Sequence, residues 1–325
     1  MRQPTIDDIQ AARERLRPHL VVTPLLEHPA LNARTGGRIL LKCENLQRVG
    51  AFKFRGAYNA ISQVDRGQYP GGVVACSSGN HAQGVAAAAT LLGHKSAIVM
   101  PADAPALKVA RTRAFGGEVV PYDRVAEDRE AIARRLCAER GAALVHPFDD
   151  TNVMAGQGTV GLEIVEQATA LGATPDTVLV ACSGGGFVGG VATAVKASHP
   201  GAQVYSVEPE GFDDMARSLR SGQRERNAKL SGSICDALLA ETPGAMTFEV
   251  AKRMLSGGVA VSDDEARAAI RFAFLELKLV LEPGGAATLA AVLEGRVPTK
   301  GRTVVAVLSG GNIDPAQFAA IIQAA

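Results

Sequence analysis

The chain has 325 residues, of which 47% are hydrophobic and 21% charged, and its formal net charge is +1 with a pI near 7.7. A chain with so balanced a charge lacks the basic surface that attracts nucleic acids or acidic membranes, so we expect neither as a partner. The proportions are those of a globular protein large enough for one big core or two joined lobes.

The N-terminal segment, MRQPTIDDIQAARERL, has the charged amphipathic pattern of a helix and lacks the basic and then apolar pattern of a leader. No apolar run approaches the ~20 residues of a membrane span. An odd number of scattered cysteines predicts neither a disulfide framework nor a zinc site, and we expect buried, reduced thiols in a cytoplasmic protein. The cysteines are Cys43, Cys76, Cys137, Cys182 and Cys235.

Short β-branched runs alternate with longer alanine-rich segments along most of the chain. The segments between the runs, such as 80–92, 128–140 and 186–198, have the length and period of helices. This alternation predicts parallel α/β units, although no shift in composition marks a domain boundary. The runs are RILLKCE, VVACS, SAIVMP, GEVVPY, TVLVACS, QVYSVE and TVVAVLS.

The segment GAFKFRGA at 50–57 places Lys53 among small and apolar residues at the start of a predicted helix. Burial in such a setting lowers the pKa of a lysine and suits it to Schiff-base chemistry. A surface lysine extending from a helix start is the alternative that this segment alone leaves open.

The segment SSGNHAQG at 77–84 follows the run VVACS and opens a predicted helix. Its free backbone N–H groups and short polar side chains point at one place, which indicates a site for a carboxylate or phenolate oxygen. Capping of the helix by Ser77 or Ser78 is the other interpretation, and the two are compatible.

The segment SGGGF at 183–187 lies between a predicted strand and a predicted helix, where small residues let the backbone wrap around a phosphate. Gly184, Gly186 and Gly189 also form the pattern G-x-G-x-x-G, and Glu208 ends the next strand. That combination is the dinucleotide fingerprint, so a nicotinamide-dependent or non-catalytic binding protein remains open at this point.

Together with the turn SGGN at 309–312, these segments resemble the fold-type II pyridoxal-phosphate enzymes, specifically the serine/threonine dehydratases and serine racemase. The resemblance runs in the same order across nearly the whole chain, whereas a dinucleotide fold leaves three of the segments unexplained. It implies an α/β fold like that of the tryptophan synthase β chain, with two open parallel-sheet lobes and the cofactor in the cleft. Residues 1–67 and 150–325 would form the large domain, and 68–149 a small mobile domain.

By this resemblance Lys53 would hold pyridoxal phosphate as a Schiff base and then act as the general base. Asn80 would bond the cofactor's ring oxygen, and Ser309 would face the pyridine nitrogen with a neutral hydroxyl, which favours elimination. Ser183 stands where the family usually has a fourth glycine. The implied cofactor contacts are Phe52, Lys53, Asn80, Ser183, Gly184, Gly185, Gly186, Glu282 and Ser309.

The resemblance also implies the substrate contacts. Ser78 stands where serine racemase carries its second acid/base, so it is a catalytic candidate as well as a possible helix cap. Arg129 would accept a second carboxylate, as in hydroxyaspartate, or be an exposed helix residue. The side chains of His81 and His146 are expected to be structural. The substrate contacts are Ser77, Ser78, Gly79, Asn80, His81 and Arg129.

The acidic turn EPEGFDD at 208–214 resembles the divalent-cation site of serine racemase. Glu208, the Phe212 carbonyl and Asp214 would be its ligands, and oxygen ligands suit Mg²⁺ or Ca²⁺. A solvated loop is the alternative for this turn.

The function implied is that of a dehydratase, or ammonia-lyase, which converts a β-hydroxy amino acid such as L-threonine or L-serine to a 2-oxo acid and ammonia. An amino acid racemase, or a dehydratase specialised for hydroxyaspartate or phenylserine, is the alternative. The partner is then a small amino acid, and the family's usual state implies a homodimer.

Overall fold

The computed structural model describes residues 2–77, 79–104, 106–123 and 126–324. Helices and strands alternate along most of this length. The helices are α1 (Ile6–Leu16), α2 (Pro29–Thr35), α3 (Lys53–Ile61), α4 (Asn80–Leu91), α5 (Ala106–Ala114), α6 (Arg129–Arg140), α7 (Thr151–Ala170), α8 (Gly186–Ser198), α9 (Asp214–Ser221), α10 (Ala245–Met254), α11 (Asp263–Phe272), α12 (Pro283–Leu293) and α13 (Pro315–Gln323). The strands are β1 (Leu25–Glu27), β2 (Arg38–Lys42), β3 (Val73–Cys76), β4 (Ser96–Pro101), β5 (Glu118–Tyr122), β6 (Ala143–Leu144), β7 (Thr177–Ala181), β8 (Gln203–Pro209), β9 (Gly257–Val261) and β10 (Thr303–Val307).

The strands form two sheets, which confirms the predicted α/β class with two parallel-sheet lobes. The larger sheet has the order β1-β2-β10-β7-β8-β9 and is parallel except for β1, which pairs antiparallel with β2. The smaller sheet has the order β5-β4-β3-β6 and is parallel throughout. The predicted limits of the two domains, and the mobility of the smaller one, stay predictions.

Each of the seven β-branched runs contains a strand, because parallel strands covered by helices on both faces are apolar along their length. The structure adds β1, β6 and β9, which the sequence pattern did not predict. The first two are too short to show a pattern, and β9 begins with Gly257 and Gly258, residues that are depleted in strands.

The larger sheet has a separate apolar core on each face. Leu179 and Ala181 of β7 pack into one core, and Val178 and Val180 into the other, as the alternation of side chains along a strand requires. The smaller sheet packs in the same way against α3 and α4 on one side and against α6 on the other. None of the five cysteines forms a disulfide; Cys43, Cys182 and Cys235 are buried, as predicted, whereas Cys76 and Cys137 are only half-buried.

In an α/β sheet, ligands bind beyond the carboxyl ends of the parallel strands. The loops that follow β3, β7 and β10 carry the segments 77–84, 183–187 and 309–312, so the fold brings these loops together between the two sheets. Among the described helices, none is both long enough and apolar enough to cross a membrane.

Candidate active site

A cavity of about 200 Å³ lies between the two sheets. Its walls contain nearly all of the residues predicted to contact cofactor or substrate. Ser78, the predicted second acid/base, lies outside the described residues, and the predicted cation ligands lie away from the cavity. The predicted residues that line it are Phe52, Lys53, Ser77, Gly79, Asn80, His81, Arg129, Ser183, Gly184, Gly185, Gly186, Glu282 and Ser309.

Lys53 is the first residue of α3 and faces the cavity. The extended residue Ala51 bridges to Gly310, and the Phe52 N–H donates to the Ser309 carbonyl at 3.2 Å, so the chain enters the helix beside the 309–312 turn. The Lys53 ammonium donates to the Pro147 carbonyl at 2.8 Å and forms no ion pair with any described carboxylate. Burial lowers the pKa of Lys53 to about 8. A neutral amine is therefore accessible near neutral pH.

Phe52 and Phe187 stack beside the lysine with their ring centroids 3.7 Å apart. The Lys53 ammonium lies 5.2 Å from the centroid of the Phe52 ring. The two rings make one wall of the cavity apolar, which strengthens the burial that lowers the lysine pKa.

The glycine loop ends in a helix start with free backbone donors. Gly185 adopts a φ of 94°, which is a left-handed conformation, and no side chain caps α8. A Cβ at Gly184 would overlap the ring of Phe148, so the close approach of residue 148 requires glycine there. The unpaired N–H groups at the start of α8 form an anion site of the kind that holds phosphate.

The start of α4 is a second helix start at which no described side chain caps the backbone donors. Gly79 precedes α4 and has no side chain to cap the helix, whereas the Ser77 hydroxyl accepts the N–H of Gly79 at 3.2 Å. Ser77 therefore stabilises the turn rather than the first N–H groups of α4. Those groups remain available to a carboxylate or a phenolate.

Asn80 is held by side chains of the larger lobe. Its amide donates to Glu282 Oε1 at 2.5 Å, and its oxygen accepts from the Asn312 amide at 2.8 Å. Burial raises the pKa of Glu282 to about 7. Ser309, beside them, donates to the Gly284 carbonyl at 3.4 Å. The three predicted ring contacts, Asn80, Glu282 and Ser309, thus share one wall.

Arg129 is the first residue of α6 and lines the cavity, and its side chain is exposed. Its guanidinium makes no hydrogen bond or ion pair with any residue that the structure describes, although the carboxylate of the preceding residue, Asp128, lies near enough to interact with its charge. Lys108, another cation of the lining, is paired with Asp236. Arg129 is therefore a cavity cation that no described side chain binds directly.

The predicted cation ligands form a buried acidic pair outside the cavity. Glu208 accepts the N–H groups of Met215 and Ala216 at 2.9 Å, and Asp214 Oδ1 accepts from Asn227 at 2.7 Å. Asp214 Oδ2 is buried without a partner. Burial first, and then the mutual proximity of the carboxylates, raises the pKa of Glu208 well above its usual range, and burial raises that of Asp214 to about 7.

This geometry bears on two interpretations of the sequence, the dinucleotide fingerprint and a metal site. Glu208 is bound to the start of α9 and does not line the cavity, so it is not placed to hold a ribose as the dinucleotide fingerprint requires. Within the described residues, no group of three or more His, Cys, Asp or Glu side chains forms a metal site.

The two histidines near the cavity have backbone partners. His81 Nε2 bonds the Val145 carbonyl at 3.1 Å, and burial lowers the pKa of His81 to about 3. His146 Nδ1 accepts the Asp149 N–H at 2.8 Å. Pro147 and Asp149 themselves were missed in the sequence, since no motif marks a backbone carbonyl that meets a lysine 94 residues away.

Comparison with known proteins identifies close relatives along almost the whole chain. The family model described as pyridoxal-phosphate dependent enzyme matches residues 16–310. The chain is 41% identical over 316 residues to L-threo-3-hydroxyaspartate ammonia-lyase of Pseudomonas sp, covering 97% of this chain and 98% of that protein. It is 37% identical over 316 residues to serine racemase of Schizosaccharomyces pombe, covering 97% and 96%. The solved structure of a threonine deaminase from T.th. superposes with a TM-score of 0.91 at 45% identity, covering 96% of this chain and 99% of that one.

Proposed function

Because the chain belongs to the family of pyridoxal-phosphate-dependent enzymes, we propose that it is an ammonia-lyase for β-hydroxy amino acids with a preference for 3-hydroxyaspartate. The observation that carries the preference is the guanidinium of Arg129, which lines the cavity that contains Lys53 and has no bonded partner among the described residues. L-Threonine and L-serine are the smaller substrates against which this preference is measured.

The residues around the cavity fit pyridoxal phosphate. Among the described residues the amine of Lys53 bonds only a neutral group, the Pro147 carbonyl, and the start of α8 has donors for a phosphate but no side-chain cap. Lys53 would hold the cofactor, with Ser183, Gly184, Gly185 and Gly186 around its phosphate and Phe52, Asn80, Glu282 and Ser309 around its ring. When bound, the cofactor withdraws electrons from the α-carbon of an amino acid.

Lys53 would accept the α-proton of the substrate. A general base works best when its pKa lies near the working pH, and a pKa of about 8 meets that condition where the usual lysine value does not. The Pro147 carbonyl would hold the amine in position between proton transfers, since it accepts a hydrogen bond from the ammonium at 2.8 Å.

The substrate would be held at both ends. Its α-carboxylate would accept the N–H groups of Asn80 and His81, which open α4 and have no partner within the helix. Its β-carboxylate would pair with Arg129, whose planar guanidinium binds a carboxylate through two hydrogen bonds. A methyl group, as in threonine, cannot accept a hydrogen bond from that guanidinium.

Arg129→Ala tests this preference, with Arg135→Ala on the same helix as the matched control. We expect the kcat/KM for 3-hydroxyaspartate to fall about a hundredfold, as the loss of a charge-assisted pair implies, and the kcat/KM for L-threonine to change less than about threefold. The measurement is a 2-oxo acid assay with both substrates.

Three results would count against the proposal. Equal losses of kcat/KM for both substrates would mean that Arg129 does not recognise the β-carboxylate. A wild-type enzyme that prefers L-threonine would overturn the preference itself. Chiral chromatography that detects inverted amino acid without any 2-oxo acid would replace the lyase by a racemase, in which Ser78 would be the second acid/base.

We also propose a divalent cation, Mg²⁺ or Ca²⁺, at Glu208, Asp214 and the Phe212 carbonyl. Two neighbouring buried carboxylates and the unpartnered Asp214 Oδ2 are the observations in its favour, because a cation would relieve the repulsion between them. Calorimetric titration with MgCl₂ and CaCl₂ should give binding in the wild type and none in Asp214→Asn. Identical titrations of the two proteins would remove the site.

The family resemblance further supports a homodimer in the cytoplasm. Light scattering of the purified protein, giving about twice the 33.7 kDa mass of the chain, is the expected result for the dimer.

A further inference from the structure

A short segment, residues 147–149, joins the two parts of the cavity that would hold the cofactor. The Pro147 carbonyl accepts from Lys53 Nζ at 2.8 Å. The next residue, Phe148, packs so closely on the glycine loop that a Cβ at Gly184 or Gly186 would overlap it. One short stretch of backbone therefore touches both the lysine and the phosphate loop.

Asp149, at the end of this segment, binds the start of α10. Its Oδ2 accepts the N–H of Ala245 at 3.0 Å, and its Oδ1 accepts those of Met246 and Thr247, also at 3.0 Å. The residue that precedes α10 is Gly244, which has no side chain to cap the helix. A carboxylate almost a hundred residues away in sequence thus takes the place of a local cap.

The start of α10 in turn fixes the glycine loop. Thr247 Oγ1 donates to the Gly184 carbonyl at 2.6 Å, and the Gly244 N–H donates to the same oxygen at 3.1 Å. Thr247 is completely buried, so this bond has no water to compete with it. The chain of contacts from Lys53 through Asp149 to Gly184 is therefore continuous.

We propose that Asp149 is a positioning residue that sets the separation between the amine of Lys53 and the N–H groups of the 184–186 loop. One carboxylate holds the backbone that carries the Pro147 carbonyl and also the helix that holds Gly184. A cofactor fixed at both ends binds tightly only when that separation is correct. The inference rests on the proposed roles of Lys53 and of the glycine loop.

Asp314 provides a control for the simpler role of a helix cap. It caps α13 by accepting the N–H groups of Ala316 and Gln317 at 2.9 and 3.1 Å, and it does not line the cavity. A residue that only caps a helix should act like Asp314 when it is replaced, lowering the melting temperature and leaving the affinity for the cofactor alone.

The experiment compares Asp149→Ala, Asp314→Ala and the wild type as holoenzymes. Free pyridoxal phosphate in the ultrafiltrate of serially diluted holoenzyme gives the dissociation constant of the cofactor, and thermal denaturation gives the stability. For Asp149→Ala we expect the dissociation constant to rise about tenfold, as the loss of one helix cap implies. For Asp314→Ala it should stay within about twofold, while the melting temperatures of the two variants fall by similar amounts.

Thr247→Val and Thr247→Ser keep the proposal testable if Asp149→Ala does not fold. Thr247→Val removes the hydroxyl that donates to the Gly184 carbonyl, with the Gly244 carbonyl a second, longer contact, and should raise the dissociation constant about fivefold. Thr247→Ser keeps the hydroxyl and should restore the dissociation constant.

Two outcomes separate this inference from the proposed function. If the wild type binds the cofactor and both Asp149→Ala and Thr247→Val bind it equally well, Asp149 is only a helix cap and the inference fails. If the wild type itself does not retain pyridoxal phosphate, the proposed function fails first.

Discussion

Two lysines eleven residues apart have opposite surroundings. Lys42, on β2, is completely buried, and its ammonium donates to Glu163 at 2.6 Å, to the Thr23 carbonyl at 2.6 Å and to Gln167 at 2.9 Å. Lys53, at the start of α3, has one acceptor within the described part of the chain, the neutral Pro147 carbonyl, and it lines the cavity. All three donors of Lys42 are used, whereas Lys53 is free to react.

Lys42 belongs to a buried ion network that balances its charge. Arg55 bonds both Glu44 and Glu163, so two positive and two negative side chains meet between β2, α3 and α7. Burial lowers the pKa of Lys42, and the neighbouring carboxylates oppose that change. The comparison teaches that neighbours decide the role of a lysine inside the protein: partners make it structural, and their absence leaves it available for chemistry.

Replacing Lys53 gives the largest effect on activity that this comparison predicts. In Lys53→Ala we expect turnover of every substrate to fall by about a thousandfold or more, because the amine is both the cofactor's attachment point and the general base. The visible absorbance of bound cofactor should disappear, while the melting temperature should not fall below that of the cofactor-free wild type, since no ion pair with a described residue is lost. A Lys53→Ala enzyme that keeps a tenth of the wild-type activity would contradict the catalytic role of Lys53.

Replacing Lys42 should lower the stability of the protein and leave its activity almost unchanged. Lys42→Met leaves the carboxylates of the network with only Arg55 as a counter-ion, so the free energy of unfolding should drop by about 3 kcal/mol. Activity per folded molecule should stay within about twofold. Lys252→Met, which removes an exposed pair with Glu249, is the matched control and should cost less than about 1 kcal/mol. Chemical denaturation measures the free energy of unfolding of both variants. Equal losses in Lys42→Met and Lys252→Met would contradict the structural role of Lys42.

The pH dependence of cofactor capture sharpens the comparison further. Only a neutral amine reacts with pyridoxal phosphate, and the pKa of Lys53 is lowered from 10.5 to about 8 by burial. The capture rate of the cofactor-free chain should therefore rise about tenfold per pH unit below 8 and level off above it. A rate still rising tenfold per unit at pH 9 would mean that the amine has an ordinary pKa.

The same pKa shift also makes the stability of the cofactor-free chain depend on pH. Between pH 8 and 10.5 the unfolded chain still holds the proton that folded Lys53 has lost, so the cofactor-free chain becomes more stable as the pH rises through that window. The destabilising contribution is fully present below pH 8. Lys53→Met should lack this rise, whereas Lys42→Met should retain it; identical pH dependence in wild type and Lys53→Met would contradict the assignment.

The fold was largely predictable because its signals are local. Fully apolar runs such as Ser96–Pro101 and Thr177–Ala181 become strands wherever helices cover both faces of a sheet, and the predicted and observed bounds of these two runs agree closely. Strands as short as Ala143–Leu144 have no pattern of their own and exist only because β3 is there to pair with them.

The residues of the candidate site were predictable only where they lie within a local sequence motif. Lys53, Asn80 and the 183–187 loop lie in segments whose glycines and helix starts are visible in the sequence, and the structure places them around one cavity. The contacts of Pro147 with Lys53 and of Asp149 with α10 join residues about a hundred positions apart. Such pairs depend on the packing of two lobes, which no local pattern encodes.

The most direct test of the account asks which lysine holds the cofactor. Holoenzyme reduced with borohydride, which makes the bond between lysine and cofactor permanent, is digested and the peptides are analysed by mass spectrometry. The account predicts the added mass of the cofactor on Lys53 and none on Lys42. Modification at Lys42 or at another lysine, with Lys53 unmodified, would contradict it.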